Sequence, residues 1–176
     1  VARLDPWKDY ETLFKSIRIV VDHNPKARFF VIGGGALKIV LEKKILDMML
    51  VDNLSLVGEK SDIASYIRFC DISILSTHGE GFSNAILESM GFGKPVIATA
   101  VGGNIELIGA NEKYGVLVPP SSENKFAEAL LDLIKDEEKR IRIGLDAKRR
   151  IKTICNMDRY IMLYEKMFFE LAGEIL

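Results

Sequence analysis

The chain has 176 residues, the size of one ordinary domain and enough to bury a substantial apolar core. Apolar residues make up 48% and charged residues 28%, a mixture that excludes a disordered or fibrous protein. The 24 Lys and Arg residues are balanced by 25 Asp and Glu, so no overall positive field is available to attract nucleic acid. We therefore expect a water-soluble globular domain that does not bind nucleic acid.

The cysteines and the chain start bear on localisation. Cys70 and Cys155 are too few and too unpatterned for a disulfide framework or a zinc site. No apolar run reaches the ~18 residues of a membrane span, and no signal-peptide layout is present. These features favour a cytoplasmic protein. Because residues 1–4 resemble the tail of a strand, we interpret the chain as a fragment of a longer protein.

Apolar clusters alternate with amphipathic stretches along the chain. Strands are predicted at 3–4, 27–32, 53–57, 71–75, 95–99 and 115–118. Helices are predicted at 10–22, 36–49, 63–69 with Asp62 as cap, 82–92, 104–108, 123–135, 137–152 and 158–176. This order indicates the α/β class: a Rossmann-like, doubly wound parallel sheet of six strands with helices on both faces and a helical C-terminal end. Ligands bind at the carboxyl ends of such strands.

The most informative stretch is Glu80-Gly81-Phe82-Ser83-Asn84-Ala85-Ile86-Leu87-Glu88. At helical rise its two carboxylates lie roughly 12 Å apart along the axis, about the span from the sugar to the ribose of a nucleotide sugar. The amides of Phe82, Ser83 and Asn84 are expected to form a helix N-terminus, which favours an anion such as a diphosphate. The alternative is that Glu80 only complements the helix dipole and Glu88 makes a surface ion pair.

Three further side chains are candidates at the same edge. Arg3 and Lys8 lie at the end of the first predicted strand and the start of the first helix, where two cations would neutralise a diphosphate. His78 shares a loop with Glu80 and is a candidate hydrogen-bond partner for sugar or phosphate. The alternatives are a pair of solvated cations and a structural histidine.

Several glycines mark tight turns. Gly33-Gly34-Gly35 is similar to a dinucleotide fingerprint, but Lys38 stands where the last glycine is required and Asn53 where the acid is required, so we reject an NAD site. Gly91, Gly93 and Gly102-Gly103 give backbone freedom where a ligand can approach closely.

Two late helices carry distinctive side chains. Lys148-Arg149-Arg150 is either a contact for anionic lipid heads or a solvated face. The apolar stripe of the last helix is interpreted as core or as contact with a missing domain. Its members are Tyr160, Ile161, Leu163, Tyr164, Met167, Phe168 and Leu171.

The motifs along the chain are Arg3, Lys8, the triple glycine, the 80–88 run, Gly93-Lys94-Pro95-Val96-Ile97-Ala98, and Gly102-Gly103 with Glu106. Together they resemble glycosyltransferase family 4 (glycosyl transferases group 1). The resemblance covers essentially the whole chain. It implies a GT-B-type enzyme in which residues 1–176 form the C-terminal, donor-binding domain. The N-terminal, acceptor-binding domain is absent from this chain.

The resemblance also implies roles for residues. Glu80 contacts the transferred sugar, Glu88 the ribose, and Arg3 with Lys8 the diphosphate, so that these two cations and Glu80 are the catalytic set. Further donor-binding positions are Gly34, Gly58, Gly81, Phe82, Ser83 and Asn84, with the base near residues 58–62. Members are retaining and metal-independent, so we expect no metal and no cofactor beyond the nucleotide-sugar substrate.

The resemblance is strongest to bacterial enzymes that build O-antigen, capsule or other surface polysaccharide. It implies a UDP-hexose or UDP-N-acetylhexosamine donor, with GDP-mannose as the alternative, and a glycan or polyprenyl-diphosphate-linked acceptor. Such a protein is cytoplasmic, with peripheral contact at the inner face of the membrane as a further option. Two other functions stay open: a sugar-nucleotide epimerase of the same fold, and a non-catalytic module that binds nucleotide.

Overall fold

A computed structural model describes residues 1–109 and 111–173, with all side chains in these ranges except that of residue 157. The strands are β1 (Phe29–Ile32), β2 (Leu54–Gly58), β3 (Ser73–Leu75), β4 (Val96–Thr99) and β5 (Val116–Val118). The helices are α1 (Tyr10–His23), α2 (Lys38–Asp47), α3 (Ile63–Phe69), α4 (Asn84–Gly91), α5 (Gly103–Ile108), α6 (Glu123–Lys135), α7 (Glu137–Ile154) and α8 (Met157–Gly173).

Most helix bounds follow the sequence prediction because local signals fix them. Asp62 caps α3 as predicted, accepting a hydrogen bond from the Ser65 amide at 3.1 Å. Hydrogen bonds from Ser65 lower the pKa of the Asp62 carboxyl. The predicted bounds of α6 are confirmed without change. The last three residues of the predicted final helix, 174–176, lie outside the described residues.

The strands form two parallel groups, β1-β2 and β3-β4-β5. The predicted strand at 3–4 does not form, so five strands are described where we expected six. The Ala2 amide bonds to the Ile32 carbonyl at 3.0 Å, and the Leu4 amide bonds to the Gly34 carbonyl at 2.8 Å. The opening residues therefore run beside the end of β1 through these bonds, which do not extend into a regular ladder.

Both faces of the sheet are covered, which confirms the predicted α/β class. In β4, Ile97 packs with α1 and α6, whereas Val96 and Ala98 pack with α4 and α5. This alternation follows from the period of two along a strand. Because helices occupy both faces, ligand access is left to the loops at the carboxyl edge of the strands.

Candidate functional site

An ion pair joins two loops at the carboxyl edge of the sheet. The Lys8 ammonium lies 2.5 Å from Oε2 of Glu80. Lys8 comes from the loop before α1, and Glu80 from the loop between β3 and α4. Their side chains are only 15% and 19% exposed. The structure thus brings together two of the three predicted catalytic side chains.

Backbone hydrogen bonds hold these two loops against each other. The Trp7 carbonyl accepts from the His78 amide and from the Thr77 hydroxyl, both at 2.9 Å. The Thr77 amide donates to the Thr99 hydroxyl at 3.1 Å, which ties the loop to the end of β4. Because Thr77 and Thr99 are fully buried, these bonds are shielded from water. The sequence analysis missed this pair, since isolated threonines carry no recognisable spacing.

The N-terminus of α4 lies later than predicted. Ser83 is the cap, and its hydroxyl accepts from the Ile86 amide. A serine hydroxyl that caps a helix ends the non-helical segment, so Glu80, Gly81 and Phe82 precede the helix instead of opening it. The first helical amides are those of Asn84 and Ala85, not those of Phe82 and Ser83.

This correction changes the expected spacing of the two acids. Glu88 is exposed and sits in the second turn of α4, whereas Glu80 lies in the loop before it. The helical rise applies only from residue 84 onward, so the roughly 12 Å separation does not follow from geometry. The two acids still lie on either side of the helix N-terminus along the chain.

Arg3 does not join the Lys8 and Glu80 pair. Its guanidinium pairs with Asp5 at 3.3 Å, and its side chain is 84% exposed. Its backbone is fixed, because the Tyr10 hydroxyl donates to the Arg3 carbonyl at 3.0 Å. Burial of the Tyr10 ring, and secondarily the negative charge of Asp5, raise the pKa of the Tyr10 phenol.

Two of the predicted donor-binding glycines lie at the ends of the other strands, and Gly58 is the one expected near the base. Gly58 ends β2, and its carbonyl accepts from the Gly33 amide at 2.9 Å. Gly34 follows β1, and its carbonyl accepts from the Leu4 amide at 2.8 Å. A Cβ at Gly33 would stand 2.0 Å from the Ala2 carbonyl oxygen. The triple glycine therefore allows the opening segment to approach β1 closely.

Gly102 and Gly103 pack against the backbone of the Glu80 loop. A Cβ at Gly102 would stand 1.9 Å from the Glu80 carbonyl oxygen, and one at Gly103 would stand 1.8 Å from that of Gly81. The Gly103 amide donates to the Glu80 carbonyl at 3.2 Å. The start of α5 therefore supports the backbone that carries the acid.

His78 lies close to a buried carboxylate. Its Nδ1 is 3.9 Å from Oδ2 of Asp9, and its side chain is half exposed. Asp9 caps α1 through its other oxygen, which accepts from the Thr12 amide at 3.0 Å. Within the described residues, Oδ2 of Asp9 is buried without a hydrogen-bond partner. The predicted choice between a ligand contact and a structural role for His78 stays open.

Two arginines in the basic run of α7 make different contacts. Arg150 donates to the Leu107 carbonyl at 2.7 Å and to the Glu106 carbonyl at 2.6 Å, at the end of α5. Arg149 is exposed and pairs with Asp146 at 3.0 Å. Arg150 is thus a structural cap of α5 and not a solvated or lipid-facing cation.

The rest of the described chain, residues 1–109 and 111–173, offers few other candidate sites. A depression of about 420 Å³ between α1 and α6 contains none of the predicted site residues. No group of three or more His, Cys, Asp and Glu side chains in these ranges is placed to hold a metal. Burial raises the pKa of the Cys70 thiol, which disfavours a reactive thiolate there. None of the helices in the described part is both long and apolar enough to cross a membrane.

Comparisons with known proteins show the family. Residues 1–150 match the model of "Glycosyl transferases group 1". This chain belongs to that family. An uncharacterized glycosyltransferase of Methanocaldococcus jannaschii is 34% identical over 98% of this chain and 47% of its own length.

Two further similarities concern ligands. An Escherichia coli UDP-Gal:alpha-D-GlcNAc-diphosphoundecaprenol alpha-1,3-galactosyltransferase is 30% identical over 78% of this chain and 36% of its own length. The Anabaena protein HepE, crystallised with UDP-glucose, is 26% identical with a TM-score of 0.80, over 86% of this chain and 42% of its own. The chain spans less than half the length of each of these proteins.

Proposed function

We propose that this chain binds a nucleoside diphosphate sugar, as the donor-binding half of a retaining glycosyltransferase. The single observation that supports this is the Lys8 and Glu80 ion pair beside the N-terminus of α4. A cation and free helix amides suit the diphosphate, and a carboxylate suits sugar hydroxyls. Glu88 then accepts hydrogen bonds from the ribose, Gly58 lies near the base, and Gly34 is a further donor-binding position.

Binding in this proposal is an exchange of partners. Without ligand, the Lys8 ammonium neutralises Glu80 in a mostly buried position. A diphosphate replaces Glu80 as the partner of Lys8, and the released carboxylate accepts hydrogen bonds from the sugar. Arg3 is exposed and held only by a surface pair, so it is free to add a second positive charge. No metal is required, because cations and amides carry the charge of the leaving group.

In the reaction, the bond from the sugar C1 to the diphosphate oxygen breaks and a bond from the acceptor oxygen to C1 forms on the same face. The acceptor proton goes to the departing diphosphate. We propose a UDP-hexose or UDP-N-acetylhexosamine donor and a glycan or polyprenyl-diphosphate-linked acceptor, as in bacterial surface polysaccharide synthesis. The support is the specificity that the name of the Escherichia coli relative states and the UDP-glucose bound to HepE.

The acceptor half of the cleft belongs, in this proposal, to an N-terminal domain outside the chain. The described side chains of α8 are exposed, so the predicted stripe is not core. It is available as the surface that contacts that domain. We therefore expect the chain to bind the donor and to transfer sugar poorly when the rest of the protein is missing. Efficient transfer by this chain alone would contradict the two-domain assignment.

Calorimetric titration tests the donor site. We expect Lys8→Ala to weaken UDP binding at least about tenfold, because a hydrogen bond to a charged group contributes about 1.5–3 kcal/mol. Lys15→Ala is the matched control, since Lys15 is an exposed lysine paired with Glu11 on α1. Uridine, which lacks phosphates, should bind both variants and the wild type alike. Equal UDP affinity of Lys8→Ala and wild type would remove the diphosphate from this site.

A further inference from the structure

The chain contains one tryptophan, and its side chain is 67% exposed. Trp7 directly precedes Lys8 in the loop before α1. Single exposed apolar side chains are common on protein surfaces and usually need no explanation. Trp7 differs because it stands at the proposed donor site and because its backbone is held in place.

Three hydrogen bonds hold the Trp7 backbone. Its amide donates to Oδ1 of Asp5 at 3.0 Å. Its carbonyl accepts from the His78 amide and the Thr77 hydroxyl, so the residue is tied to the loop that leads to Glu80. The indole is therefore exposed although the backbone of Trp7 is held in place.

The indole lies next to Gly79, the residue before the acid of the site. Cζ3 of Trp7 is 3.9 Å from the point where a Cβ would stand on Gly79, which directly precedes Glu80. The neighbouring residue, Lys8, contacts Glu80 itself. A large aromatic surface and a sugar-binding carboxylate are thus adjacent on the same pair of loops.

We propose that Trp7 is a sugar-binding residue that stacks on a pyranose ring held beside Glu80. This inference rests on the proposed function. A pyranose presents an apolar face of C–H bonds and a rim of hydroxyls. The indole suits the first, and the Glu80 carboxylate suits the second. The ring belongs either to the donor or to the acceptor, and both sources share this chemistry.

Calorimetry of the chain with UDP, UDP-glucose and UDP-N-acetylglucosamine tests the donor source. If the stacked ring is that of the donor sugar, we expect Trp7→Ala to leave the affinity for UDP unchanged. The affinity for the UDP-sugars should fall about 3- to 10-fold, as an aromatic stacking contribution implies. Trp7→Phe should recover most of this loss. Phe69→Ala is the matched control, because Phe69 is an aromatic side chain 78% exposed on α3.

Fluorescence of the single tryptophan tests both sources directly. A change of Trp7 emission with UDP-sugar beyond that with UDP assigns the ring to the donor. A change only when methyl α-glucoside or methyl α-N-acetylglucosaminide is added to the UDP-saturated protein that also carries the N-terminal domain assigns it to the acceptor.

Two negative outcomes are distinguishable. UDP binding without any sugar-dependent emission change, together with wild-type UDP-sugar affinities in Trp7→Ala, overturns this inference alone. No UDP binding at all overturns the proposed function and this inference with it.

Discussion

The ammonium of Lys8 lies 2.5 Å from the carboxylate of Glu80, although 72 residues separate them in the chain. Their loops meet because the Trp7 carbonyl accepts hydrogen bonds from the His78 amide and the Thr77 hydroxyl. Each charge is mostly withdrawn from water, so each depends on the other or on a ligand that replaces it. This mutual dependence sets the direction of the change in UDP affinity that we expect for Glu80→Gln.

Glu80→Gln keeps the shape of the side chain and removes its charge. We expect UDP to bind this variant as tightly as the wild type or more tightly, because the diphosphate no longer competes with Glu80 for Lys8. The extra affinity of a UDP-sugar over UDP should fall, since an amide accepts hydrogen bonds less strongly than a carboxylate. Calorimetry with UDP and UDP-glucose measures both effects. A marked loss of UDP affinity would show that Glu80 does not compete with the diphosphate.

Gly103→Ala tests the support of the Glu80 loop by α5. The added methyl would stand 1.8 Å from the Gly81 carbonyl oxygen, so the loop must move. We expect a loss of about 1–3 kcal/mol in the free energy of unfolding and weaker UDP-sugar binding. Gly91→Ala is the control, because a Cβ at Gly91 meets nothing within 4 Å. Urea unfolding and calorimetry give the two readouts, and equal behaviour of the two variants would contradict the supporting role.

Arg150→Ala tests the cap on α5. The guanidinium donates to two carbonyls and lies 4.7 Å from the centre of the Tyr114 ring. We expect the free energy of unfolding to fall by about 1.5–3 kcal/mol, because two charged hydrogen bonds are lost. Arg149→Ala should change it by less than about 0.5 kcal/mol, since that side chain is 76% exposed. If urea unfolding showed equal effects, Arg150 would be an ordinary surface cation.

Tyr10→Phe has a pH-dependent effect. At neutral pH we expect a loss of about 1 kcal/mol, because the hydrogen bond to the Arg3 carbonyl is removed. Folding raises the pKa of the Tyr10 phenol above its ordinary value of 10.0, so the stability gained from this group is complete below pH 10.

Above pH 10 the unfolded chain releases the Tyr10 proton while the folded chain keeps it, so this contribution is lost as the pH rises. The stability difference between wild type and Tyr10→Phe should therefore shrink above pH 10, by at most about 1.4 kcal/mol per pH unit. Other groups titrate alike in both proteins and cancel. Urea unfolding at pH 8 and pH 11 measures this, and a constant difference would contradict the raised pKa.

The amino-acid sequence by itself determined the α/β class and most element bounds, and it indicated candidates for a site. These follow from local signals: the apolar period, the Asp62 cap, the spacing of glycines and prolines, and the run from Glu80 to Glu88. Local signals are encoded in neighbouring residues, so they can be recognised without knowing the fold.

Only the tertiary structure decided which of these residues meet. It paired Lys8 with Glu80, left Arg3 exposed and placed Gly103 against the Glu80 loop. It also placed the opening residues beside the end of β1. Such contacts depend on the packing of loops far apart in the chain, and no residue pattern along the sequence specifies them.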